Sequence, residues 1–176
     1  FYSQNQPWSI CSLRYFNPIG SHYTGQIGEN PSSHPNNIFP LINKVAAKQI
    51  DKLKIFGNDW DTPDGTCIRD YIHVMDVAEG HVSALEHLMG NNIPKKLFLN
   101  LGTGKGTSVL ELLNIFQEEN KINVPYEISS RREGDVARVV ADNSKATSLL
   151  KWVPKRTIKE MCKDGWNWQV KNPSGY

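Results

Sequence analysis

The stretch Gly65–His81, GTCIRDYIHVMDVAEGH, decides the fold, because a strand pattern and a helix pattern meet inside it. Thr66, Cys67, Ile68, Tyr71, Ile72 and Val74 are of types that favour a pleated strand. Val74, Val77, Ala78, His81, Val82, Leu85 and Leu88 then recur at three- and four-residue steps, which predicts a helix to about Met89 that buries this face. A strand feeding straight into a helix delivers Arg69 and Tyr71 to the mouth of a site while the helix anchors the segment behind them. Taken alone, the stretch leaves two readings of Arg69 and Asp70 open: a solvated surface ion pair, or part of a site.

Working outward, Ser9–Phe16 (SICSLRYF) alternates as a buried strand, and Asn17-Pro18 with Gly20 ends it in a turn. Ser21 to Asn37 is rich in Gly, Pro, Ser, His and Asn and reads as a long loop, a length that in compact domains usually accompanies function. Asn37 is placed to cap a helix whose buried face is Leu41, Ile42, Val45 and Ala46, with Pro40 tolerated in the first turn. LKIFG (Leu53–Gly57) is a short strand closing on the breaker-rich turn NDWDTPDG. Leu97–Leu101 is another strand, followed by Gly102, Gly104, Gly106 and a helix from near Ser108 with Glu111 completing a capping box. That glycine run is G-x-G-x-G, lacks a G-K-[ST] ending and is followed by no clear ribose-binding acid, so a tight strand-to-helix turn explains it better than a phosphate loop. Pro125–Ser129 reads as a strand, RREGD (Arg131–Asp135) as a charged turn, Arg138–Ala141 as a short strand and Asn143–Leu150 as a short helix. The last helix has a second capping box, Thr157 with Glu160, and an inner face of Ile158, Met161, Cys162, Gly165, Trp166 and Gln169. Short strands alternating with helices make the class α/β, without repeats or a convincing internal boundary.

At 176 residues the chain can bury a sizeable core, as one domain or one large part of an enzyme. Its net charge of +2 is too balanced for a nucleic-acid surface, so any anion site must be local. The chain opens on Phe1 without a charged n-region or an apolar h-region, and no run approaches the roughly 18 apolar residues of a membrane span. A soluble, cytoplasmic protein, or a piece of one, is the expectation. Cys11, Cys67 and Cys162 are far apart, form no C-x-x-C pair and sit among apolar neighbours, which reads as reduced, mostly buried thiols.

Polar groups gather at element ends: Asn17, Asn37, Arg69, Arg132 and Asp135. Two guanidiniums with amide donors suit a diphosphate, because the planar fork pairs two oxygens and stays charged at every working pH. Asp135 beside them suits a ribose hydroxyl, and an aromatic such as Phe56 suits the face of a flat base. There is no H-E-x-x-H and no G-x-S-x-G, so no nucleophile–base pair or metal site is apparent.

The strings LRYFNPIG (Leu13–Gly20), NNI (Asn36–Ile38), IFGNDWDTPDGTCIRDYIHVMDVAEGH (Ile55–His81), NLGTGKGTSVLE (Asn100–Glu111), RREGDVA (Arg131–Ala137) and the closing WNWQVKNPSGY, in this order and spacing, closely resemble the UDP-glucose 4-epimerases of the extended short-chain dehydrogenase family. The resemblance covers nearly the whole chain. It implies the carboxyl-terminal part of an extended Rossmann-type fold: residues 1–176 as one substrate-binding part, with the last strand of an NAD-binding domain near 9–16. Position by position, it implies that Phe16 touches NAD near the nicotinamide and that Asn17 binds the UDP phosphates. Asn37, Ile38, Lys54, Ile55 and Phe56 would line the uridine side, Arg69 and Arg132 would grip the diphosphate, and Asp135 would hold the ribose. The implied reaction sends a hydride from sugar C4 to NAD, turns the 4-keto sugar over, and returns the hydride to its other face. That requires UDP held firmly and the hexose held loosely.

Two departures qualify the implication. The family's glycine-rich NAD turn and its Tyr-x-x-x-Lys pair have no counterpart in this sequence, so the chain by itself is expected neither to hold NAD tightly nor to epimerise. The position that walls the hexose pocket, often a tyrosine, is Val139, which leaves room for an N-acetyl group. The family implies a homodimer when complete. The rivals are another nucleotide-sugar enzyme of the superfamily, a dehydratase or decarboxylase, and a non-catalytic UDP-sugar-binding fragment.

Overall fold

The computed structural model describes residues 8–31, 35–90 and 96–176. Part of the predicted loop, Ser32 to His34, and the residues before Trp8 lie outside them. The strands are β1 (Ile10–Tyr15), β2 (Asn17–Ile19), β3 (Leu53–Phe56), β4 (Ile68–Arg69), β5 (Tyr71–His73), β6 (Lys96–Leu101), β7 (Thr107–Ser108), β8 (Tyr126–Ser129) and β9 (Arg138–Val139). The helices are α1 (Ile38–Ala46), α2 (Val74–Met89), α3 (Val109–Asn120), α4 (Ser144–Leu150) and α5 (Ile158–Lys171). Among the described residues the strands form small separate sheets: β1 with β6, β2 with β5 and β3 with β8, all parallel, and a three-stranded β7-β4-β9 sheet in which only β4–β7 is antiparallel. Parallel pairing over intervening helices is what an α/β chain requires.

The deciding stretch is not one strand. β4 ends at Arg69 and β5 begins at Tyr71 in a different sheet, with Asp70 as the pivot. Propensity cannot reveal this break, because the residues on both sides are good strand formers. Asn17-Pro18 is also more than a turn: Asn17, Pro18 and Ile19 stand in register with Tyr71, Ile72 and His73. Proline is tolerated in β2 because the two-stranded sheet leaves it an edge strand.

Helix α2 buries a different face from the one its apolar periodicity predicts. Asp76, Val77, Gly80 and Ala84 are buried, whereas Val74, Ala78, His81, Val82 and Leu85 are exposed. Polar chemistry sets the rotation. The fully buried Asp76 carboxylate accepts from the Arg156 backbone N–H at 3.0 Å and from its Nη1 at 2.5 Å, while the Asp76 carbonyl accepts from Trp152 Nε1 at 3.0 Å. A buried charge left without these donors costs several kcal/mol, about as much as the apolar stripe would gain by turning inward.

Two clusters form the core. One joins α1, β3, α3 and α5 through Phe39, Ile42, Leu53, Ile55, Leu112, Leu113, Phe116 and Met161; the other joins Ile72, Val77, Leu99, Leu101, Ala146 and Trp152. Trp166 packs edge-on against Phe116 at 6.0 Å between centroids and Trp168 is buried, as core residues rather than a ligand cage. Both predicted capping boxes form, Ser108 with Glu111 and Thr157 with Glu160. The loop after β2 is tied to α5 and its end, where Asn167, Lys171 and Asn172 donate to the carbonyls of Tyr23, Thr24 and Gly25. All three cysteines are free thiols, with Cys67 and Cys162 buried. No helix is long and apolar enough to cross a membrane among the described residues.

Candidate functional site

The parallel pairs β2–β5 and β3–β8 and the start of α1 converge on one cleft of about 250 Å³. Asn17, Asn37, Ile38, Lys54, Ile55, Phe56, Arg69, Arg132 and Asp135 all line it. Asn17 opens β2, Lys54, Ile55 and Phe56 belong to β3, and Arg132 and Asp135 follow β8. A second hollow of about 590 Å³ shares Asn36, Leu41, Lys54, Phe56 and Arg132 with the first and adds Val45, Ile50 and Leu53. The result is a groove with an apolar end and a charged end. Val139 and Phe16 do not line the cleft: Val139 stands opposite Arg69 in the β4–β9 pair, and the Phe16 backbone N–H donates to the Leu101 carbonyl at 3.1 Å.

Arg69 is the best-held polar residue of the cleft. Its Nη1 donates to the carbonyls of Ile68 at 2.9 Å and Val136 at 2.8 Å, and its Nη2 to Asp135 Oδ1 at 3.2 Å. With five guanidinium N–H donors and three engaged in these bonds, two remain. The side chain is only 16% exposed, so the solvated-pair reading fails for it. Its ion-pair partner is Asp135, not the adjacent Asp70.

Asp70 turns away, as neighbouring strand residues do, and is fully buried. Its Oδ1 accepts from Thr103 N (2.8 Å) and Thr103 Oγ1 (2.6 Å), and its Oδ2 from Gly104 N (2.9 Å) and Ala141 N (3.1 Å). The glycine run therefore does form an anion nest, but the anion is this carboxylate. A Cβ on Gly102 would lie 2.7 Å from Asp70 Oδ2, and Gly104 has φ of 74°, so glycine is required where the loop wraps the acid. A second acid, Asp64, exposed in the turn before β4, also receives backbone and hydroxyl donors, from Thr66 N and Oγ1 and the Ser108 hydroxyl. Burial alone would raise its pKa, but these hydrogen bonds outweigh it and hold the carboxyl below its usual value.

Asn37 occupies the N-cap position of α1 with extended backbone (φ −82°, ψ 143°), but its side chain makes no capping hydrogen bond. The position was legible and the bond was not; the exposed amide stays available to the cleft. Cys67, Leu41 and Val109 also line the cleft and were not singled out by sequence. The period of two that pairs Cys67 with Arg69 would have found the first. Burial pushes the Cys67 thiol up, with the Arg69 guanidinium opposing, and burial pushes the Tyr71 phenol well above its ordinary value. Both stay protonated at neutral pH and act as neutral wall, leaving the charge of this end to Arg69, Arg132, Lys54 and Asp135. Among the described residues no cluster of His, Cys, Asp and Glu could hold a metal ion.

The sequence pattern of the family described as GDP-mannose 4,6 dehydratase matches residues 1–165. The chain is 49% identical over 175 residues to UDP-glucose 4-epimerase 4 of Oryza sativa subsp. japonica, covering 99% of this chain and 47% of that protein. It is 47% identical to the UDP-glucose 4-epimerase of Bacillus subtilis, covering 99% of this chain and 51% of that one. Its fold superposes with a TM-score of 0.90 and 44% identity on the Bifidobacterium longum UDP-glucose 4-epimerase in complex with NAD+ and UDP, over 98% of this chain and 50% of that one. A TM-score of 0.90 at 45% identity also relates it to the Stenotrophomonas maltophila UDP-glucose 4-epimerase bound to NAD and formylated UDP-arabinopyranose, over 94% of this chain and 49% of that one. The chain spans about half the length of the curated relatives it matches. The mixed α/β architecture of short strands and helices is thus that of Rossmann-type epimerase chains, and the chain belongs to the family described as GDP-mannose 4,6 dehydratase.

Proposed function

We propose that this chain is the UDP-sugar-holding part of an NAD-dependent UDP-glucose 4-epimerase that interconverts UDP-galactose and UDP-glucose in galactose metabolism. The observation that carries the proposal is the convergence of two arginines, Arg69 and Arg132, with Asp135, Asn17 and Asn37 in one cleft that opens into an apolar hollow beside Phe56. Arg69 and Arg132 would take the diphosphate, to which Asn17 would donate. Asp135, through the carboxylate oxygen not engaged by Arg69, would accept a ribose hydroxyl. Asn37, Ile38, Lys54, Ile55 and Phe56 would enclose the uridine. The names of relatives bound to NAD and UDP support the same assignment.

When bound, NAD would supply the hydride acceptor, and then the donor, for sugar C4. Of this chain's residues only Phe16 is assigned to it, near the nicotinamide; its half-buried ring, at the junction of β1 and β2 and next to Asn17, suits an apolar wall rather than a grip. The rest of the NAD site and the Tyr-x-x-x-Lys pair are assigned to polypeptide that these 176 residues do not include. The work of this chain is then to fix the nucleotide so that binding energy remote from C4 holds the sugar at the reacting centre without gripping the hexose. Homodimeric assembly and a cytoplasmic setting complete the proposal.

The test is a chimera joining the amino-terminal half of the Bacillus subtilis relative to this chain. UDP-galactose turnover by the chimera, and none by the 176 residues alone, is expected. A folded, NAD-containing chimera that produces a dehydrated or decarboxylated sugar instead would replace the proposal with its nearest rival.

A further inference from the structure

Two turns at the rim of the cleft are tied together. The turn after β3 carries Asp59 and Trp60, and the turn after β8 carries Arg131 beside Arg132. Arg131 Nε donates to Asp59 Oδ1 at 2.9 Å, and its Nη2 donates to the Asp59 carbonyl at 2.6 Å. The same guanidinium lies over the Trp60 ring, 4.0 Å from the centroid. Trp60 Nε1 in turn donates to the Phe56 carbonyl at 3.4 Å. Beneath them Gly57, at φ 80°, extends the β3–β8 ladder through its N–H to the Ser129 carbonyl at 2.8 Å. A Cβ there would meet Trp60 Nε1 at 2.5 Å and Arg131 Cγ at 3.0 Å, so the three elements touch without slack.

The side chains of Arg131 and Asp59 are 45% and 68% exposed, and an ion pair that exposed adds little to stability. Its geometry is what matters. A guanidinium held at two points on one residue and stacked on an indole has few orientations left, so the backbone that carries it is fixed as well. That backbone leads directly into Arg132, while the indole holds the carbonyl of Phe56. Both neighbours line the cleft; the three clamp residues do not.

We propose that Asp59, Trp60 and Arg131 form a clamp that positions Arg132 and Phe56 for a nucleoside diphosphate. They are positioning residues: ordering these turns before the ligand arrives removes that part of the ordering cost from binding. The inference rests on the diphosphate reading of the cleft.

The experiment is calorimetric titration of UDP into the 176-residue chain and its variants, with melting temperature and hydrogen exchange of the Asp135 amide, which closes the RREGD turn onto the Arg132 carbonyl. Trp60→Ala and Arg131→Ala are each expected to weaken UDP about tenfold with little change in melting temperature, and to accelerate exchange at Asp135. Trp60→Tyr, which keeps a stacking face, restores most of the affinity. Affinity within about twofold of the unsubstituted chain in both alanine variants, while Arg132→Ala abolishes binding, overturns the clamp and leaves the diphosphate reading intact. Should the unsubstituted chain bind no UDP, the diphosphate reading fails and the clamp, as a device for positioning a nucleoside diphosphate, falls with it; unchanged exchange at Asp135 in both alanine variants of a chain that does bind UDP overturns the clamp alone.

Discussion

Replacing Asp70 by asparagine isolates the glycine nest. The carboxylate takes four donors, two on each oxygen, and all four come from segments distant in sequence. Asparagine keeps one oxygen and must turn its NH2 toward one pair. On the Oδ2 side it would face the backbone N–H groups of Gly104 and Ala141, neither of which can become an acceptor. On the Oδ1 side the Thr103 hydroxyl can rotate to accept, which leaves the Thr103 N–H facing another donor. The less damaging orientation therefore removes at least one charge-assisted hydrogen bond and strands one buried N–H, a loss of roughly 3–5 kcal/mol. The opposing effect is relief of a buried charge, which is small here because the charge is solvated by four protein dipoles. Against a total stability of about 5–15 kcal/mol, urea unfolding followed by circular dichroism should show a midpoint shift with an unchanged slope. At this chain length the melting temperature should fall by roughly 6–20 °C. A loss below about 1 kcal/mol would refute the reasoning, because it would mean that desolvation of the carboxylate cancels its hydrogen bonds.

Three further outcomes follow from the geometry. His73, fully buried, accepts from Met75 N through Nδ1 at 3.0 Å and faces Asp164 through Nε2 at 3.3 Å, with Asp76 and Arg156 nearby; burial lowers its pKa although Asp164 pulls the other way. A folded pKa below the unfolded value of about 6.5 means that stability is intact above pH 6.5 and lost as pH falls toward the folded value, a slope that His73→Asn should flatten in urea titrations at pH 7 and pH 5. Arg156→Ala leaves the buried Asp76 carboxylate, among the described residues, with the backbone N–H of residue 156 as its remaining donor and should cost about 3 kcal/mol by the same unfolding assay, whereas replacing Lys159 of the surface pair Lys159–Glu119 by alanine should leave the unfolding midpoint nearly unchanged. In the chimera, Val139 should admit UDP-N-acetylglucosamine and Val139→Tyr should exclude it while sparing UDP-galactose; equal turnover of the N-acetyl sugar by both forms would remove Val139 from the hexose wall.

What the amino-acid sequence determined by itself is what short-range physics controls. The capping boxes at Ser108 and Thr157 close between residues three apart, so they are visible in any window that contains them. The strand-to-helix switch near Val74 is likewise local. The candidates Asn17, Asn37, Arg69, Arg132 and Asp135 were legible as polar groups at element ends, although only the ordered set of motifs singled out a nucleotide-sugar site. The tertiary structure decided the rest. It broke the deciding stretch at Asp70, because the donors that hold that carboxylate lie 33 to 71 residues away. It chose the buried face of α2, where the ion pair between Asp76 and Arg156 spans 80 residues and matches in size the gain from an apolar stripe that periodicity alone would bury. It also left Asn37 at a cap position without a capping bond, and gathered side chains from β2, α1, β3, β4 and the turn after β8 into one cleft. Hydrophobic spacing records which residues prefer to leave water; it carries no record of which distant partner will satisfy a buried charge, and here those charges set the arrangement of the site.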